Sequence, residues 1–211
     1  NTITSDSNYV YVAKRNYQGR AVGTSVFYDK NGSKVAEFEE RNEVKQGVGT
    51  YYHENGEVSR KGTFKKNHPT GIHEYFDVSA VFIRSEVYNK RGKLIAEVYV
   101  TESGKKVFTA CDRLSSFGKY RNETKAFTKM GKFIDETLIR TPRSEILDEA
   151  MVTVAFLIAP DGSIEELEIV QTVHADLNAE VIAVMKKMPK WRPAKFRGKA
   201  VYSEFSVTVN F

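Results

Sequence analysis

Cysteine is nearly absent: Cys111 stands alone among 211 residues. One thiol excludes an internal disulfide and a cysteine-built zinc site, and fits either a reducing compartment or an exported protein that does without bridges. No apolar run approaches the roughly 20 residues that a membrane-crossing helix needs. The sequence starts at Asn1 rather than at methionine, so a signal peptide, lipid anchor or spanning helix upstream stays open. Proline is scarce, 5 in all and none in a run, which leaves no stiff polyproline spacer within these residues. His53, His68, His73 and His174 show no zinc spacing beyond a loose His68 and His73 pair, and none lies near Cys111 in sequence. The glycines follow no phosphate-loop pattern, and Glu165, Glu166 and Glu168 read as the solvated face of a strand. A catalytic constellation is therefore missing, neither metal nor cofactor is expected, and enzyme activity is the least favoured class.

What is present suits a folded chain. Hydrophobic residues make up 41% and charged residues 28%, a globular balance, and the length favours two small domains over one large one. The net charge of +5 suits an anionic partner in principle. Its dense stretch, Lys186, Lys187, Lys190, Arg192, Lys195, Arg197 and Lys199, lacks the aromatic or groove-reading elements of a nucleic-acid footprint. A solvated basic face accounts for it, and no nucleic acid is expected as partner.

The first half repeats. Gly23, Gly47 and Gly71 recur every 24 residues, each followed by an aromatic pair: Phe27-Tyr28, Tyr51-Tyr52 and Tyr75-Phe76. The first two copies run into Asn31-Gly32 and Asn55-Gly56, where both residues are expected at the positive φ of a two-residue type I′ turn, so each copy reads as a β-hairpin. Strands are expected at 34–39, 58–64, 81–88 and 93–100. This spacing of glycine, aromatic pair and Asn-Gly resembles the MORN-like repeats, over roughly residues 20–105. The resemblance implies an all-β hairpin-repeat meander used for contact with proteins or lipids.

Residues 101–122 lose strand alternation and gather glycine, serine and lysine, so the chain divides into a repeat domain at 1–104, a connector at 105–122 and a second domain at 123–211. From Glu123 to Ile139 a helix is expected with Phe127, Met130, Ile134 and Leu138 on its apolar stripe, ended by Thr141-Pro142. Val152, Val154, Phe156 and Ile158 alternate into the turn Pro160-Asp161-Gly162, and Ile164 to Val173 returns as the partner strand. Asp176 is placed to cap a second helix with Leu177, Val181, Val184, Met185 and Met188 inward, ended by Pro189. Val201, Phe205, Val207, Val209 and Phe211 give the closing strand its period of two. The pattern is α+β: a three-stranded antiparallel sheet with two helices on one face.

These elements in this order resemble the C-terminal domain of TonB, above all the form in Bacteroidetes-type energy transducers. The resemblance is carried by Phe133-Ile134, the strand 152–158, Pro160-Asp161-Gly162-Ser163-Ile164, the run Met188-Pro189-Lys190-Trp191-Arg192-Pro193-Ala194 and the closing 205–211. One departure is Ala150, where the family has glycine before the first strand of the hairpin. Trp191 reads as a packing anchor.

The resemblance implies a periplasmic protein whose last strand and preceding segment receive the TonB box of an outer-membrane TonB-dependent transporter by strand addition. It transfers the partner-binding role to Arg143, Ser144, Glu145, Ile146 and Leu147, and to Tyr202, Glu204, Phe205, Ser206, Val207 and Thr208. Two function classes stay open. One is an energy transducer coupled to an inner-membrane proton-driven complex for nutrient uptake. The other is a periplasmic or lipid-anchored scaffold with a TonB-like fold and no transducing role. The missing proline-rich spacer speaks against the first unless the hairpin array replaces it. A strand-exchanged homodimer is compatible with either.

Overall fold

A computed structural model describes residues 2–5, 9–138, 150–173 and 175–211, with the side chains of residues 2, 4, 5 and 176 left aside. The chain forms two compact units, Asn1–Val100 and Thr101–Phe211. Among the described residues no helix is long and apolar enough to cross a membrane.

The first unit is an antiparallel meander in which each strand pairs with its neighbour in sequence: β1 (Thr2–Ser5), β2 (Tyr9–Ala13), β3 (Val22–Asp29), β4 (Lys34–Arg41), β5 (Val44–Tyr52), β6 (Val58–Lys65), β7 (His68–Phe76), β8 (Phe82–Tyr88) and β9 (Leu94–Val100). It begins earlier than the repeat pattern indicated, because β1 and β2 pair ahead of the first repeat glycine.

The turns correct the sequence reading. Gly32 and Gly56 have φ +84 and +86, but Asn31 and Asn55 are not in the left-handed region. Each Asn-Gly instead closes a five-residue turn, with Gly56 N–H donating to His53 C=O at 2.9 Å and His53 N–H to Glu57 C=O at 2.8 Å. That is a three-residue loop ending in a left-handed glycine, one residue longer than a type I′ turn, and the extra residue appears as a register shift in the strands it joins. Both-positive pairs do occur, at Asn42-Glu43 (φ +55, +65) and Lys66-Asn67 (φ +51, +66). The third long turn, Asp77 to Val81, repeats the pattern with Ala80 at φ +61 in the glycine's place.

One face of this sheet carries a row of rings. Phe27 meets Phe38 at 5.7 Å, Phe38 meets Phe64 at 5.6 Å, Phe64 meets His73 at 5.1 Å and His73 meets Tyr88 at 5.1 Å. Two glycines make room for it: a Cβ on Gly49 would lie 2.6 Å from the Phe38 and Phe64 rings, and one on Gly62 would lie 2.3 Å from the His73 ring. Cross-strand aromatic pairs of this kind add about 0.5–1.5 kcal/mol each beyond their buried area, which matters where the buried apolar cluster among the described residues is Ala36, Phe38 and Phe64.

The second unit opens with β10 (Lys106–Ala110), followed by α1 (Glu123–Thr137), β11 (Met151–Ile158), β12 (Ile164–Thr172), a single 3-10 turn at Ala175–Leu177, α2 (Asn178–Lys186), a small hairpin of β13 (Ala194–Phe196) and β14 (Lys199–Val201), and β15 (Ser203–Asn210). The sheet order is β12-β11-β15, all antiparallel. The unit is the expected α+β arrangement of three strands and two helices, but residues 105–122 are structured: they hold β10, bury Val107, and send Phe117 into the core.

Helix α1 is capped by Asn122, whose side chain accepts from Lys125 N–H at 2.8 Å. Its inner stripe is Ala126, Met130 and Ile134 with Leu138, an i, i+4 series. Phe127, one step further round, is 54% exposed and sits outside the stripe it was expected to begin. Helix α2 starts one residue later than expected, directly after the 3-10 turn, so Leu177 rather than Asp176 occupies the cap position and no side chain caps it. Of its expected stripe, Leu177, Val181, Val184 and Met185 are buried, while Met188 is half-buried and lies past the helix end. Ala150 is buried and outside the left-handed region, so an L side chain fits where the family carries glycine.

Candidate functional site

The candidate site is the outer edge of β15. This strand pairs residue for residue with β11, from Met151↔Asn210 to Ile158↔Ser203, without a register shift. Phe211 N–H donates to Ala150 C=O at 3.0 Å in the same register. Antiparallel pairs alternate between bonded and non-bonded, so the odd residues of β15 turn their N–H and C=O toward β11 and the even residues turn theirs away. Tyr202 obeys this parity: its carbonyl accepts from Phe108 N–H at 2.9 Å, where β10 covers the strand's beginning.

The residues singled out from the sequence therefore separate. Phe205 and Val207 pack on the core, Phe205 at 4.8 Å from the Trp191 ring and 5.8 Å from Phe156. Glu204, Ser206 and Thr208 are exposed on the opposite face, with Thr208 Oγ1 2.9 Å from Thr153 Oγ1. The backbone of Ser206 and Thr208 faces outward, with no strand partner among the described residues. Tyr202 is occupied by β10, with Lys105 5.5 Å from its ring centre. Arg143, Ser144, Glu145, Ile146 and Leu147 lie outside the described residues.

Beside this edge lies a small apolar slot walled by Ser116, Phe117, Phe127, Met130, Trp191 and Phe205. Phe127 contributes its exposed ring, 6.0 Å from Phe205. The sequence did not reveal the slot, because Phe127 looks like any other apolar residue at helical spacing. Trp191 is the anchor it was read to be: 3% exposed, with Phe117 at 5.5 Å and Phe156 at 5.6 Å. Its backbone also fixes the hairpin turn. Trp191 N–H donates to Gly162 C=O at 2.8 Å, and a Cβ on Gly162 would lie 2.1 Å from the Trp191 carbonyl oxygen.

The one thiol, Cys111, donates to Arg113 C=O at 3.1 Å, and burial pushes its pKa up, the reverse of what an activated nucleophile needs. Among the described residues no group of three or more His, Cys, Asp or Glu is arranged to hold a metal ion.

The second unit is an α+β domain, a three-stranded antiparallel sheet with two helices, whose last strand, β15, lies at the end of the sheet order. Residues 129–211 match the family model of the Gram-negative bacterial TonB protein C-terminal, a non-enzymatic, generally periplasmic domain that binds outer-membrane receptors. No curated relative matches the chain. Among solved structures, the chain is similar to S. aureus TarM in complex with fondaparinux, alpha-GlcNAc-glycerol and UDP, at 14% identity and TM-score 0.34, over 48% of this chain and 19% of that one. It is also similar to accessory secretory protein 1, 2 and 3 of Streptococcus pneumoniae, at 18% identity and TM-score 0.35, over 51% and 20%. The chain thus spans about a fifth of each of those proteins, and a likeness this slight does not define a shared fold.

Proposed function

We propose that the second unit captures the TonB box of an outer-membrane TonB-dependent transporter by strand addition to β15, and that the protein transmits force to that transporter for nutrient uptake. The observation that carries this is the outward backbone of Ser206 and Thr208, without a strand partner among the described residues, in a unit whose residues 129–211 match the TonB C-terminal family. An extended peptide laid there gains main-chain hydrogen bonds, while side chains at alternate positions select the sequence. The segment 143–147 supplies the second half of the receiving surface in this reading. An inner-membrane proton-driven complex supplies the energy, in the periplasm.

The test is a titration of labelled TonB-box peptides against the wild type and variants at both outward positions. Ser206→Pro and Thr208→Pro each remove one outward donor and leave the bonds to β11 intact, so each is expected to lower affinity at least tenfold, roughly 1.4 kcal/mol. Alanine at the same positions is expected to change little. Proline variants that keep the wild-type circular dichroism and bind every peptide as the wild type does would refute strand addition at this edge. A scaffold role is favoured by one feature, the hundred-residue meander of unit one standing where a transducer carries a proline-rich spacer. Unchanged binding in the proline variants would favour that role.

A further inference from the structure

Turns of an antiparallel meander fall alternately on two rims, and in the first unit the rims differ in charge. One rim carries the β2–β3 loop, the β4–β5 and β6–β7 turns and the β8–β9 turn. Its exposed cations begin with Lys14 and Arg20 on the first loop and Arg41 at the second turn. They continue with Lys65 and Lys66 on the third, and Lys90 and Arg91 on the fourth. Glu43 is the exposed carboxylate among these turns, and it is paired with Arg15 at 3.0 Å. The opposite rim, at Asp29 to Ser33, His53 to Glu57 and Asp77 to Val81, exposes Lys30 against Glu54 and Glu57.

The basic rim is a built ridge. Asn16 Nδ2 donates to Asn42 Oδ1 at 3.0 Å and Glu43 N–H to Ala21 C=O at 3.1 Å, tying the first loop to the second turn. Lys45 N–H donates to Asn67 Oδ1 at 2.8 Å and Asn67 N–H to Lys45 C=O at 3.2 Å, tying the second to the third. Gly92 sits against His68, where an added Cβ would lie 2.9 Å from the histidine's own, which joins the third to the fourth. The left-handed pairs Asn42-Glu43 and Lys66-Asn67 serve this stitching: their asparagines reach sideways to the preceding turn while the lysines and arginines face solvent. With strands about 4.8 Å apart, turns on one rim recur every ~10 Å, so the cations form a line.

We propose that this rim binds a linear soluble polyanion, a polymer carrying closely repeated phosphate or carboxylate groups, along the line of turns. A line of cations suits a chain-like ligand, whose bound counterions are released as each cation meets a charge. A membrane surface would call for apolar tips to enter the interface; the second to fourth turns are tipped by Asn42-Glu43, Lys66-Asn67 and Lys90-Arg91, and the first loop alone exposes a ring, Tyr17. Single-stranded nucleic acid would call for stacking rings along the track, and the rim offers Tyr17 alone, at its first loop.

The test titrates the full chain with sodium polyphosphate at rising sodium chloride. Binding is expected at low ionic strength, with log K falling linearly in log salt. Reversing the third and fourth turns (Lys65→Glu, Lys66→Glu, Arg91→Glu) should weaken it about tenfold or more and flatten the salt slope, since each lost contact removes about one released counterion. The neutral set Lys65→Gln, Lys66→Gln, Arg91→Gln should follow in the same direction, which separates lost contacts from a misfolded reversal. Lys30→Glu on the opposite rim and the pair Lys186→Glu, Lys187→Glu in the second unit should leave binding within about twofold. The proposal is overturned by no binding at low salt, or by loss in the second-unit pair with none in the rim variants. It is equally overturned if anionic phosphatidylglycerol vesicles bind where polyphosphate does not, or if single-stranded DNA of equal charge binds more tightly.

Discussion

His73 is wholly buried, and its two ring nitrogens have opposite duties. Nε2 lies 2.8 Å from Thr63 C=O and donates to it, so Nδ1 must accept, and Arg60 Nη2 approaches it at 3.0 Å. Burial, and then the charge of Arg60, hold its pKa below the ordinary histidine value of 6.5. The sign follows from linkage: the unfolded chain takes up a proton near 6.5 while the folded one resists, so stability is full above that pH and drains away as pH falls toward the lower folded pKa. Thermal unfolding of the wild type between pH 7.5 and 5 should therefore show the first transition moving down, with the fall beginning near 6.5. His73→Gln, which can donate to Thr63 and accept from Arg60 without titrating, should abolish that part of the pH dependence. A wild-type and a variant profile of identical shape would remove His73 from the account. Glu86 belongs to a different pH window. Burial alone would raise it, but the hydroxyls of Tyr75 and Tyr88 at 2.5 Å, with Arg84 beside them, outweigh burial and keep it below the usual carboxylate range. Its contribution is lost only in stronger acid.

At the scale of elements, helix α1 shows how a small angular error moves a stripe. Residues 127, 130, 134 and 138 and residues 126, 130, 134 and 138 are both helical series, and size alone recommends the first. The structure buries Ala126 because the i, i+4 line through Met130, Ile134 and Leu138 continues through it. Enlarging it should cost more than shrinking its neighbour. Ala126→Leu is expected to destabilise the second unit by about 1–3 kcal/mol through overpacking, and Phe127→Ala by less than about 1 kcal/mol, its ring being half exposed. Urea denaturation of the two variants checks the order, and the reverse order would return Phe127 to the core.

For the molecule as a whole, the consequential boundary is Val100/Thr101. Segment 101–122 contributes to the second unit what a linker would not: Phe117 fills the core beside Trp191, and Ser116 pairs with Arg192 through N–H to C=O bonds of 3.0 and 2.9 Å in the two directions. A fragment spanning 101–211 is expected to unfold cooperatively by itself. One spanning 123–211 should be less stable by about 3–5 kcal/mol, the usual cost of emptying a buried phenylalanine site. Fragments of equal melting temperature would make 101–122 a linker after all.

The repeating hairpins, the order of the two helices and three sheet strands after residue 122, and the inward residues of the closing strand were legible in the sequence, because periods of two and of 3.6 are properties of the local chain and survive without knowledge of any partner. Trp191 was legible as an anchor for the same reason, a large apolar ring between prolines. Three things waited on tertiary structure. Whether Asn55-Gly56 forms a two- or a three-residue loop depends on the register of the strands it joins, and that register is set across the sheet. Which of the expected site residues turn outward depends on the bonding parity of β15 against β11: Ser206 and Thr208 face out, while Phe205 and Val207 are spent on the core. The basic rim could not be seen at all, since Arg20, Arg41, Lys66 and Arg91 are scattered over some seventy residues of chain and become neighbours only when antiparallel pairing brings every second turn to the same side.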